Sequence, residues 1–140
     1  MIKFNDLRIG DYVMTDNDGD NRRGEITRLN GNEKQVEVDT GAQCFWYETN
    51  QLSPLPVTDE ELTRLQFHKH VNEDGTIKYM KGAFRMLVPK EGDFSRMELW
   101  YRDETRHIVN PISLHNLQNH FYEMTKVYLN DENFDAARTL

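Results

Sequence analysis

Cysteine is all but missing from this chain: its 140 residues include one, Cys44. A lone thiol excludes an intramolecular disulfide framework, and at this length a chain buries roughly two-thirds of its unfolded surface and needs no such staple. Long hydrophobic runs are missing too. No apolar stretch approaches the roughly 18 residues that a bilayer span requires, so no membrane segment is expected. Positive charge is scarce: 17 Lys and Arg face 24 Asp and Glu, for a net charge of −7. Neither half escapes this balance, with 6 basic against 10 acidic residues in 1–54 and 11 against 14 in 55–140. Affinity for DNA or RNA rests on Lys and Arg neutralising phosphates, so a broad nucleic-acid surface is disfavoured and only a local basic patch is left open. No nucleophile elbow, Walker loop, dinucleotide glycine pattern or zinc-hydrolase motif occurs, which leaves no positive case for an enzyme and none for a cofactor. The first residues, Met1–Asp6, lack the apolar core and small-residue cleavage site of a signal peptide, and a cytoplasmic location is expected.

What is present reads as two parts. In residues 1–54, Leu7-Arg8-Ile9-Gly10-Asp11 hands over to a strand at Tyr12-Val13-Met14, and the polar Asp16–Asn21 turn leads into an alternating strand from Gly24 to Leu29. Asn30-Gly31-Asn32 turns again, Gln35–Asp39 alternates, and Cys44-Phe45-Trp46-Tyr47-Glu48 makes an aromatic strand. Four or five short strands in this span predict a small closed barrel. Their order, with the Leu7-to-Asp11 phrase before the first strand, resembles the SH3-like barrels of the KOW and Tudor type.

Pro54 and Pro56 stop the last strand and stiffen a short connector. Residues 55–140 are then expected to form an α+β unit. Thr58 is an N-cap, Glu61 completes a capping box, and Asp59 and Glu60 suit the helix dipole, which predicts a helix over 58–66. Strands follow over 67–109 as an antiparallel meander of about five, with Trp100 and Tyr101 on opposite faces of one of them. Leu114, Leu117, Phe121 and Met124 recur at helical spacing and predict a closing helix over 113–126. In the tail, Phe134, Ala137 and Leu140 allow one weak helical turn, and fraying is expected.

The whole layout resembles a family of small uncharacterised proteins from gut Bacteroidetes and their phages and prophages. The residues that carry it are Leu7-Arg8-Ile9-Gly10, then Pro56-Val57-Thr58 with Glu60-Glu61, Leu65-Gln66-Phe67, Asn72-Glu73-Asp74-Gly75 and Leu114-His115-Asn116-Leu117-Gln118-Asn119. The chain departs from the family pattern at Val57, where leucine is common, and at Lys126-Val127-Tyr128, where glycine soon follows the helix. The resemblance implies a phage or mobile-element context and no assigned activity.

Several constellations invite a chemical reading. Asp16–Asp20 is not an EF-hand loop, because glycine falls fourth and Thr27 stands at the twelfth position, where that loop needs a bidentate Glu; a solvated hairpin turn is expected. His68 and His70 share a strand face, but a transition-metal site normally needs three or four ligands, and no third is evident. His115 and His120 lie about 140° apart around a helix and cannot face one ligand together. His115 is expected at the surface or boundary, and Cys44 as a buried, inert thiol. Phe45-Trp46-Tyr47 is the best recognition feature, since alternation sends at least one large aromatic to the outside, unless Trp46 packs against the second part. The binding residues expected are Arg22, Arg23 and Trp46. The expected function is a non-enzymatic protein-interaction module, and the alternative is a nucleic-acid-binding accessory using that Arg and aromatic surface.

Overall fold

The computed structural model describes residues 2–130; the weak turn expected around Phe134, Ala137 and Leu140 lies outside them. Spatial proximity divides the chain into two units. One holds the chain through Pro56 together with Ser113–Asn119, and the other holds Val57–Ile112 and the chain from His120 onward.

In the first unit, a 3-10 turn at Phe4–Asp6 precedes β1 (Tyr12–Asn17), β2 (Asp20–Asn30), β3 (Gln35–Asp39), β4 (Cys44–Glu48) and the two-residue β5 (Leu52–Ser53). All neighbours are antiparallel, in the order β4-β3-β2-β1-β5. The β1–β2 hairpin closes through Asp18-Gly19, both at positive φ (52° and 85°), the geometry that favours an Asp-Gly pair between twisted strands. Gly24 is required by close approach: a Cβ there would collide with Val38 Cγ1 and sit 2.9 Å from the Asp39 carbonyl oxygen. Ile2, Leu7, Val13, Ile26, Val36, Val38, Tyr47 and Leu52 form one buried cluster.

The expected closed barrel is corrected here. β4 and β5 stand at opposite edges of an open sheet. β5 is too short to reach a second neighbour: its two pairs, Ser53 with Met14 and Leu52 with Thr15, are both made to β1.

The second unit is α+β. It comprises α1 (Asp59–Arg64), β6 (His68–Val71), β7 (Ile77–Lys81), β8 (Phe84–Val88), β9 (Met97–Tyr101) and β10 (Glu104–Ile108), and the later half of α2 (Leu114–Thr125) belongs to it. The strands form an antiparallel meander in the order β10-β9-β8-β7-β6. α1 starts where the sequence signals it, with Thr58 Oγ1 accepting from the Glu61 N–H at 3.1 Å and three acidic residues in the first turn. Thr58→Ala should therefore cost about 1 kcal/mol of stability, read from the urea midpoint.

One face of this sheet is buried, with Phe84 at its centre between Phe67 (ring centroids 6.2 Å) and Phe121 of α2 (4.7 Å). Beside it the Tyr79 hydroxyl donates to Asp59 Oδ1 at 2.7 Å, and Lys69 Nζ reaches Asp59 at 3.1 Å and also Glu91. The Tyr79 hydroxyl bond, then Lys69, holds the Asp59 carboxyl below its usual range, while burial raises the Tyr79 phenol. These bonds tie the first turn of α1 to β6 and β7.

Candidate functional site

Two of the polar groups buried in the first unit, Asp11 and Gln118, take part in hydrogen bonds around the Leu7-to-Asp11 phrase and α2. Gly10, at φ 98°, turns the chain into β1. Gln118 Nε2 donates to the Gly10 carbonyl and Gln118 Oε1 accepts from the Tyr12 N–H, both at 2.8 Å, so one side-chain amide pairs with the backbone as a neighbouring strand would. Asn119 Nδ2 donates to the Asp6 carbonyl at 2.8 Å. Asp11 Oδ2 accepts from the Arg8 N–H at 2.9 Å, and burial pushes the Asp11 carboxyl up to about 7 against the pull of Arg8 and Asn119.

His115 is buried, not at the surface as expected, because it faces into the first unit beside Leu114 with Ser113 Oγ 3.0 Å from its Nδ1. Burial lowers its pKa, as burial followed by Arg106 does for His120, whose Nδ1 lies 2.9 Å from Arg106 Nη1. The bonds around Gln118, Asn119 and Asp11 join parts of the fold to one another, which is a structural role.

The exposed aromatics of the first unit stand on β4. Phe45 and Trp46 are 43% and 41% exposed, on opposite faces of the strand, while Tyr47 is buried. Cys44 is exposed, correcting the expected buried thiol: alternation puts it with Trp46 on the outer face of an edge strand. Across that face Trp46 pairs with Glu37 of β3, and Glu37 with Arg28 of β2. Arg28 forks onto Glu37, Nε to Oε1 at 2.9 Å and Nη2 to Oε2 at 2.8 Å, and its guanidinium lies 5.4 Å from the Trp46 ring centroid. The fork, with Thr27 Oγ1 donating to the same carboxylate, holds the Glu37 pKa down at about 2.

Comparison of the chain with protein-family models, with curated proteins and with solved structures finds no match.

By register neither Arg22 nor Arg23 stands in the row of Trp46. Arg22 lies opposite Thr15 and pairs with Asp20 at 2.9 Å; Arg23 lies opposite Met14, with its guanidinium 4.2 Å from the Tyr12 ring centroid. Arg28 is the cation that meets Trp46. Sequence reasoning missed it because the contact crosses β3 and follows a register shift between Ile26 and Arg28.

The second unit's sheet has an outer face opposite its core. One row across the strands runs His68, Met80, Arg85, Trp100 and Thr105; the next runs His70, Lys78, Leu87, Glu98 and His107. Trp100 is 44% exposed, and His68, His70, Arg85 and His107 are exposed as well. His107 Nδ1 lies 3.2 Å from Glu98 Oε1. A cleft of about 370 Å³ at the end of this face is lined in part by Leu87, Pro89, Arg96, Glu98, His107 and Val109. His68 and His70 do share a face, yet among the described residues no group of three or more His, Cys, Asp or Glu is placed to hold a metal ion. No helix among the described residues is long and apolar enough to cross a membrane.

Proposed function

We propose that the protein is a non-enzymatic interaction module that takes an extended peptide alongside β4. The observation that carries this reading is an edge strand with a large exposed aromatic on each face, Phe45 on one and Trp46 on the other. An added strand gains main-chain hydrogen bonds along such an edge, and its alternate side chains meet the two aromatics in turn. The Arg28–Glu37 fork fixes the guanidinium against Trp46 and offsets its charge, which suits an uncharged or mixed peptide better than a phosphate chain. We read the unit as a variant of the SH3-like sheet; the reading is supported by a four-stranded meander followed by a 3-10 turn at Thr49–Gln51 and a short strand returning to β1. The resemblance to small proteins of gut Bacteroidetes and their phages supports an accessory role in a mobile element, with a partner protein in the cytoplasm.

Peptides selected from a random display library on the full chain test this. Their Kd is expected to rise at least tenfold, about 1.4 kcal/mol, for Trp46→Ala and equally when alternate peptide amides are N-methylated. Affinity indifferent to both changes would contradict it.

A further inference from the structure

We infer that the outer face of the second unit's sheet binds single-stranded nucleic acid, with a base stacked on Trp100 and the phosphate chain held by Lys78 and Arg85. This goes beyond the peptide reading and involves a different sheet.

Charge is the first argument. In a chain with 24 acidic and 17 basic residues, the two outer rows carry Lys78 and Arg85, three histidines, and Glu98 as their one carboxylate. Glu98 is engaged by His107 at 3.2 Å, whereas neither Lys78 nor Arg85 has an ion-pair partner among the described residues. Elsewhere, Arg22, Arg28, Arg64, Lys69 and Arg106 each face a carboxylate. Lys78 and Arg85 are thus available to an external anion on this face.

Geometry is the second argument. Arg85 stands directly across from Trp100, and Lys78 is one strand and one row from Arg85, hence two strands from Trp100. Cross-strand neighbours lie about 5 Å apart and next-row neighbours about 7–8 Å, spacings on which a base on the indole leaves its flanking phosphates within reach of long basic side chains. An indole accepts any base face, and the adjacent guanidinium adds a planar cation beside it. A sheet covered by helices on one side and carrying an exposed aromatic on the other is a recurrent platform for unpaired bases, whereas a duplex presents its bases only edge-on. The nearby cleft, with Arg96 at its wall and Leu87, Pro89 and Val109 as apolar lining, extends the surface by enough to seat a neighbouring base.

The test uses the full chain and a fluorescein-labelled oligodeoxythymidine of about 15 nucleotides, within the site sizes of single-strand binders. Anisotropy at about 50 mM salt should show binding that weakens as salt rises. Trp100→Ala should weaken it roughly ten- to hundredfold. Lys78→Ala with Arg85→Ala should weaken it and flatten the plot of log K against log salt by about 1.4, two phosphate contacts' worth on a single strand. In a Trp46→Phe background the remaining indole fluorescence should be quenched on binding. Arg22→Ala with Arg23→Ala should leave affinity unchanged. Trp46, Arg22, Arg85 and Trp100 are exposed and Arg23 and Lys78 half-buried, and circular dichroism checks that each variant is folded. Absence of salt-sensitive binding, or binding unaltered by the Lys78 and Arg85 changes, would overturn the inference. So would equal binding of polyglutamate that survives Trp100→Ala, which would mark the face as a site for acidic protein segments.

Discussion

Gln118→Leu is expected to destabilise the protein by roughly 2–6 kcal/mol, because it orphans two buried backbone groups at about 1–3 kcal/mol each. The Gly10 carbonyl and the Tyr12 N–H sit at the entry to β1, and each is bonded by the Gln118 amide. Leucine keeps the side chain's bulk but has neither donor nor acceptor. Gln118→Glu keeps an acceptor for the Tyr12 N–H and, once protonated, regains a donor for the Gly10 carbonyl, so its stability should recover towards that of the wild type as pH falls, which Gln118→Leu cannot do. Urea unfolding of the three proteins across pH checks this. A leucine variant as stable as the wild type would mean that water or a shifted backbone satisfies Gly10 and Tyr12 instead.

Asp11→Asn is expected to change the pH dependence of stability more than its value at any one pH. Asp11 titrates at its ordinary 3.8 when unfolded and at about 7 in the folded protein, where burial outweighs Arg8 and Asn119. Between those values the folded state holds a proton that the unfolded chain has released. The group's contribution is therefore fully present below pH 3.8 and is lost as pH rises through 7. Buried His115 and half-buried His120 act in the opposite sense: both are lowered from 6.5, so their contribution is present above that value and is lost as pH falls through their folded pKa. The asparagine variant removes the Asp11 component and leaves the histidines in place, while its side-chain oxygen still accepts from the Arg8 N–H. Its stability relative to wild type should be about 2–3 kcal/mol more favourable at pH 8 than at pH 5. A difference that does not vary with pH would show that Asp11 is ionised throughout.

Much of the fold was legible because the signals were local. Thr58 with its acidic first turn marked α1, the strand alternation and turn residues marked the meander of the second unit, and the Leu114, Leu117, Phe121, Met124 stripe marked α2; all four of those side chains are buried. Closure of the first sheet was not legible. Whether a fifth strand reaches the first or the fourth depends on its length and on pairing across the sheet, and Leu52–Ser53 gives no periodicity to read. His115 and Cys44 were misjudged for related reasons: a helical histidine's burial depends on what faces it from distant sequence, and an aromatic-rich strand looks buried until its place at the sheet edge is known. That an aromatic of Phe45-Trp46-Tyr47 is exposed followed from alternation, whereas the meeting of Arg28 with Trp46 depends on register across β3. The Trp100 surface was missed although the alternation of Trp100 and Tyr101 was read, because only the pairing of five strands shows that Arg85, Lys78 and Trp100 share a face.

The proposed peptide site makes β4 the working edge of the first unit. Hydrogen exchange of the full chain, with and without a selected peptide at saturation, tests it most directly. Amides within Cys44–Glu48 are expected to gain protection on peptide binding while those of β6 to β10 stay unchanged. Protection confined to the second sheet, or bound peptide with no change in β4, would contradict it.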